Sequence, residues 1–236
     1  MEMIGIKSLA GSVIKTLQAK HPAFLIESHL QYEFALELWR RGYDCHLEYQ
    51  MHTKKHQEKE AKYRVDLLAI DHENKIGYIF EFKYCTEECN IKINEKLVYH
   101  LKKQAGAKQR RKAIWKDIEK LNAIKTNQTA EIKALEEKKI ADLTRIETCF
   151  VLITNDKHFL NFQKGKSESE DNSDLCVAQG YKFNRKIINT ELQKDKKELT
   201  INVGEGEYVF EYVPYNKDYT KYEGENKDFQ MLILEI

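Results

Sequence analysis

The sequence predicts a single α/β domain carrying a helical insertion at about residues 93–146. Three observations predict it. Two helix-like stretches fill the first 42 residues, and β-rich runs recur at 45–51, 63–71, 76–84 and 148–156. Residues 93–146 hold almost no Gly or Pro, while apolar residues recur there at helical intervals. No internal repeat or linker divides the chain, so residues 1–236 are read as one domain.

Taken in order, residues 6–20 read as a helix. After His21-Pro22 a second helix runs through FLIESHLQYEFALELWRRG, with Pro22 at a permitted starting position and Gly42 as its stop. CHLEYQM suits a strand, and the lysine-rich HTKKHQEKEAK after it reads as a loop. YRVDLLAID and IGYIFEFKY are joined by His72-Glu73-Asn74-Lys75, short enough for an antiparallel hairpin at the centre of the sheet. In the insertion, Ile114, Ile118 and Leu121 mark one helix, and Ile132, Leu135, Leu143 and Ile146 mark another, with a break near Thr126–Thr129. Leu121, Leu135, Leu143 and Ile146 are expected to zip these helices together. TCFVLITND is a buried-type strand, and SESEDNSD is a solvated acidic loop. LTINV, EYVFEYV and FQMLILEI are strand candidates, with Gly204 and Gly206 at a turn.

Composition sets limits. Charged residues make up 33% of the chain, hydrophobic ones 42% and aromatic ones 11%, which supplies a core and excludes a disordered tail. No apolar run approaches the roughly 18 residues needed to cross a bilayer. The N-terminus lacks the continuous apolar region of a signal peptide, so a cytoplasmic protein is expected, with no membrane partner. Cys45, Cys85, Cys89, Cys149 and Cys176 form neither a disulfide framework nor a paired zinc knuckle and read as reduced thiols. The formal net charge of +1 leaves the partner open, because the two signs can be segregated onto different faces.

The informative chemistry is Asp66 on one strand, followed after a short turn by Glu81-Phe82-Lys83 on the next. Side chains alternate along a strand, so Glu81 and Lys83 share one face while Phe80, Phe82 and Tyr84 take the other. In so apolar a stretch, a Glu and a Lys must pair or bind an ion. Asp66 and Glu81 on neighbouring strands supply hard oxygen ligands suited to Mg²⁺, with Mn²⁺ as a substitute. Lys83 beside them can orient water and stabilise charge on a phosphoryl centre. On the helix after Pro22, Glu27, Leu30, Gln31, Phe34 and Leu38 form one stripe, which turns Glu27 and Gln31 inward and leaves Glu33 and Glu37 solvated. Glu27 is either a third metal-binding carboxylate or a group that complements the helix dipole or caps an amide.

In the order and spacing of Glu27 and Gln31, Asp66 in YRVDLLAID, and Glu81 with Lys83 in IFEFKY, the chain resembles the PD-(D/E)xK nuclease superfamily over roughly residues 20–85. GAKQRRKAIWKDIEKL followed by CFVLITND also looks like the helix and strand after the motif in bacterial members. The resemblance implies a mixed central sheet flanked by helices, the restriction-endonuclease-like core. It also implies Mg²⁺-dependent cleavage of DNA, with Asp66 and Glu81 as metal ligands and Lys83 as the catalytic lysine. Val65 stands where the family name has proline, a position that shapes backbone rather than chemistry. Gln104 is followed four residues on by Lys108 rather than by the tyrosine common in the family.

Basic residues cluster at Lys102, Lys103, Lys108, Arg110, Arg111, Lys112 and Lys116. A helix so charged can neutralise DNA phosphates, and Lys108, Arg110, Arg111 and Lys112 are its expected contacts. For any single lysine an ordinary solvated residue is the better reading, and it is the cluster as a whole that points to DNA. The histidines lack metal-site spacing, Trp39 and Trp115 read as core, and the tyrosines of the last third read as strand residues. The expectation is therefore a Mg²⁺-dependent endodeoxyribonuclease of restriction type. A silent DNA- or protein-binding module on the same scaffold is the alternative. Cutting both strands of a palindrome would favour a homodimer.

Overall fold

The computed structural model describes residues 4–54, 60–93, 96–102, 107–160, 176–180, 182–183, 187–192, 197–203, 208–215, 221–223 and 228–236. The acidic 167–174 segment, Gly204, Gly206, Lys103 and Gln104 lie outside them, as do the side chains of Lys108, His52 and His158.

The elements run α1 (Ile6–Lys20), α2 (Glu27–Arg40), β1 (Asp44–Lys54), β2 (Glu60–Asp71), β3 (Ile76–Cys85), β4 (Cys89–Ile93) and β5 (Lys96–Leu101). They continue through α3 (Ala107–Thr126), α4 (Gln128–Glu137), β6 (Arg145–Thr154) and α5 (Lys157–Leu160). After these come β7 (Lys182–Phe183), β8 (Ile187–Leu192), β9 (Lys197–Asn202), β10 (Tyr208–Val209), β11 (Tyr212–Pro214), β12 (Lys221–Glu223) and β13 (Gln230–Glu235). The α/β class is as expected, and the longest sheet has the order β1-β2-β3-β6-β13-β11.

β1 pairs with β2, and β2 with β3, antiparallel. β3 and β6 run the other way round. Thr144 N–H donates to Lys75 O at 2.8 Å, and Thr154 Oγ1 donates to Cys85 O at 2.7 Å. Both pairs are separated by 69 residues, and an offset that stays constant along two strands means they are parallel. The sheet is therefore mixed. Among the described residues, no helix is long and apolar enough to cross a membrane.

The chain divides into two compact units. The first comprises Met1–Tyr84, Lys120–Val151 and Glu235–Ile236. In it α1 buries Ile6, Leu9, Ala10, Val13, Ile14 and Leu17, a stripe at helical spacing. α2 buries Leu30, Gln31, Phe34, Ala35 and Leu38, and the ring of Phe34 lies 5.0 Å from those of both Phe80 and Phe82. Truncating Phe34 to Ala would cost about 3–5 kcal/mol. α2 ends in a Schellman turn: Tyr43 N–H donates to Leu38 O, Gly42 N–H donates to Trp39 O, and Gly42 takes the required positive φ of 92°. Gly42 is thus the stop the sequence predicts. The start differs, because α2 begins at Glu27 and Pro22 belongs to the bend before it.

The second unit comprises Cys85–Glu119 and Leu152–Leu234. It contains the β12-β4-β5 sheet and the β8-β9 and β10-β7 pairs. The insertion departs from expectation here, since Cys89–Ile93 and Lys96–Leu101 pair as strands β4 and β5, and the described helix α3 spans Ala107–Thr126. In the first unit, Leu143 and Ile146 likewise lie beyond the end of α4. Leu143 covers Gly77 on β3, where a Cβ would meet its Cδ1 at 2.9 Å. The extra apolar residues of the insertion therefore serve a sheet rather than a helix pair.

Candidate active site

The site lies in the first unit, where the β2–β3 hairpin changes its hydrogen bonding. The register runs from Asp71↔Ile76 at the turn to Leu67↔Phe80, and one step further brings Asp66 opposite Glu81. Here two amides donate to side chains. Phe82 N–H donates to Asp66 Oδ2 at 2.7 Å, and Asp66 N–H donates to Glu81 Oε1 at 3.3 Å. The backbone itself thus holds the two carboxylates side by side. On the other edge of β2, Glu48 falls between the pairs Leu47↔Leu67 and Tyr49↔Val65, opposite Asp66, and its φ is 52°. A left-handed residue in a strand costs on the order of 1–2 kcal/mol, and this one lies at the level of the site.

Lys83 and Glu27 complete one side. Lys83 Nζ donates to Phe82 O at 3.0 Å and to Glu27 Oε1 at 3.4 Å. Glu27 Oε2 accepts the Tyr84 N–H at 2.9 Å. Glu27 is the first residue of α2, so it also meets the positive end of the helix dipole. Phe24 N–H donates to the Tyr84 hydroxyl at 3.1 Å, which pins the bend before α2 to the same strand. Glu27 thus caps an amide of β3 rather than one of its own helix. Gln31 is buried beside it on the helix stripe, as expected.

Lys120 on α3 closes the other side. Its Nζ lies 2.6 Å from Glu81 Oε2 and 2.9 Å from Arg64 O. Glu81 is 1% exposed, and Lys120 compensates its charge there. The Glu27 side chain is 34% exposed and that of Lys83 19%, so the site can be reached from solvent. Three carboxylates face two ammonium groups, a formal charge of minus one.

Asp66 and Glu81 fit a hard divalent ion such as Mg²⁺, which takes one or two carboxylates and completes its shell with water and phosphate. Glu27 lies beside this pair, its Oε1 toward Lys83 and its Oε2 on the Tyr84 amide. Among the described residues, no group of three or more His, Cys, Asp or Glu side chains is arranged around a common point.

The expected DNA contacts fare unevenly. Arg110 is a correction: only 8% exposed, its guanidinium lies 2.9 Å from Asp156 and 3.3 Å from Glu87, so it is not presented to a phosphate. Arg111 and Lys112 are half-buried. Two acids of α2 were expected to be solvated and are not. Glu37 is buried among Lys20, Arg40 and Arg41, and Glu33 lies 3.2 Å from His21. Trp39 is 63% exposed, against the expectation of a core residue, whereas Trp115 is buried edge-on to Phe210. The cysteines are free thiols, and burial pushes that of Cys45 up to about 12.

Compared with protein-family models, curated proteins and solved structures, the chain matches none. The arrangement of its own side chains therefore carries the functional argument. Sequence reasoning missed Lys120, one lysine among many on a charged helix, with no spacing that sets it apart.

Proposed function

We propose that the chain is a Mg²⁺-dependent endodeoxyribonuclease that hydrolyses DNA phosphodiester bonds in the restriction-endonuclease-like manner. The observation that carries this reading is the pairing of Asp66 with Glu81 across one hairpin, with Lys83 and Lys120 at their sides. Asp66 and Glu81 would hold the ion, which supplies a Lewis acid and an activated water. The remaining work belongs to the side chains. Lys83, tethered through Phe82 O, presents an ammonium at the reachable side of the site, where it can orient the attacking water and stabilise charge on the phosphorus oxygens. Glu27 holds Lys83 in that pose. The site's formal charge of minus one becomes plus one with a divalent ion, which complements the single negative charge of a phosphodiester.

A second reading, a silent module on the same scaffold, is favoured by one observation: Lys120 and Lys83 already satisfy Glu81 and Glu27 as ion pairs. Incubation with plasmid and phage DNA, with and without Mg²⁺, separates the two. Discrete fragments or nicks that appear only with Mg²⁺ support the nuclease. Intact DNA under both conditions, with the protein folded, leaves the module.

A further inference from the structure

We infer that Lys120 is an exchangeable counter-ion, an ammonium that occupies Glu81 in the metal-free protein and must yield that oxygen when a divalent cation enters. The inference rests on the proposed metal-dependent reading of the same site and adds a regulatory residue to it.

Glu81 is 1% exposed, so in the metal-free protein its charge needs a compensating partner, while its Oε1 accepts the Asp66 amide. Lys120 meets that need at 2.6 Å. A Mg²⁺ ion on the same carboxylate would sit about 2.0–2.1 Å from its oxygen. An ammonium and a dication at such distances from one carboxylate repel each other. One of them has to move, and Lys120 is built to do so. Its stem is flexible, and its second contact, Arg64 O at 2.9 Å, is a neutral carbonyl that can retain the ammonium after it leaves Glu81. Lys83 differs in that it donates to Glu27 and to Phe82 O, on the side of the site that solvent reaches.

Competition of this kind weakens apparent metal binding by a factor equal to one over the fraction of molecules in which Lys120 does not hold Glu81. A charged hydrogen bond is strong enough to make that factor about tenfold. The test is calorimetric titration of Mn²⁺ into the full-length wild type, Lys120→Met, Lys120→Gln and Lys120→Arg, with circular dichroism on each. Lys120→Met and Lys120→Gln should bind Mn²⁺ about tenfold more tightly than wild type, and Lys120→Arg should stay near it. In thermal melts, both neutral variants should start lower than wild type and gain more from added Mn²⁺.

Unchanged or weaker Mn²⁺ affinity in the folded neutral variants, with normal binding by the wild type, overturns the exchange and leaves the metal site standing. No uptake by any of the four proteins overturns the metal site and the exchange together. Should Lys120→Met fail to fold, Lys120→Gln, which keeps a hydrogen-bonding group toward Glu81, decides the matter by the same readout.

Discussion

The cluster of Asp66, Glu81, Lys83, Lys120 and Glu27 and the cluster of Glu87, Arg110 and Asp156 both set acids against cations inside the protein. The named groups of each add up to a formal charge of minus one. Charge therefore does not distinguish them; access does. In the first, Glu27 and Lys83 reach solvent, and flexible ammonium groups hold the acids. In the second, Arg110, Glu87 and Asp156 are 9%, 10% and 0% exposed, and a planar guanidinium spans both acids. Asn155 adds its side chain to the backbone of Glu87 on both sides. A sealed cluster of this kind fixes structure, and an accessible one with exchangeable cations can do chemistry.

Substitutions should therefore act on different observables. The largest effect on stability is expected from Arg110→Ala, which strands Asp156 and Glu87 without their cation and should cost about 3–5 kcal/mol in a urea melt. If Arg110→Ala melts like the wild type, the cluster is not a structural clamp. At the accessible cluster, Lys83→Met should lower DNA cleavage about 10²–10³-fold while the melting curve stays close to that of the wild type. Asp66→Asn and Glu81→Gln are better probes than alanine, because each keeps an oxygen to accept the Phe82 or Asp66 amide.

The smallest effect should come from Glu37, whose carboxylate is buried while its partners Lys20 and Arg40 remain largely exposed. Burial raises its pKa, but the Lys20 and Arg41 contacts outweigh that and hold it below the ordinary 4.5. A carboxyl depressed in the folded state stabilises the protein above its unfolded pKa and loses that contribution as pH falls through the folded value. Wild type should thus exceed Glu37→Gln in stability by about 0.5–1 kcal/mol at neutral pH. The gap should shrink as pH drops below 4.5. A gap independent of pH would show that Glu37 acts through packing instead.

How far the sequence reveals this arrangement depends on whether a feature is local. The alternation in IGYIFEFKY, the short His72–Lys75 connection and the stripe of Glu27, Gln31 and Phe34 are local patterns, and each finds its place in the structure. Lys120 and Arg110 are illegible for the opposite reason. Lys120 meets Glu81 and Arg110 meets Asp156 only through tertiary contact, and along the helix they look like any other basic residue. The pairing of β4 with β5 is hidden in a different way, because a short run such as KLVYHL fits a strand or a helix turn equally well. Leu143 and Ile146 keep helical spacing by coincidence, on either side of the start of β6.

The central claim is that Asp66 and Glu81 together hold a divalent cation, and the most direct measurement is calorimetric titration of Mg²⁺ into the wild type and Asp66→Asn, both verified as folded. The account predicts saturable heat from the wild type that is lost in Asp66→Asn. The same heat from both proteins, or none from the wild type, would contradict it.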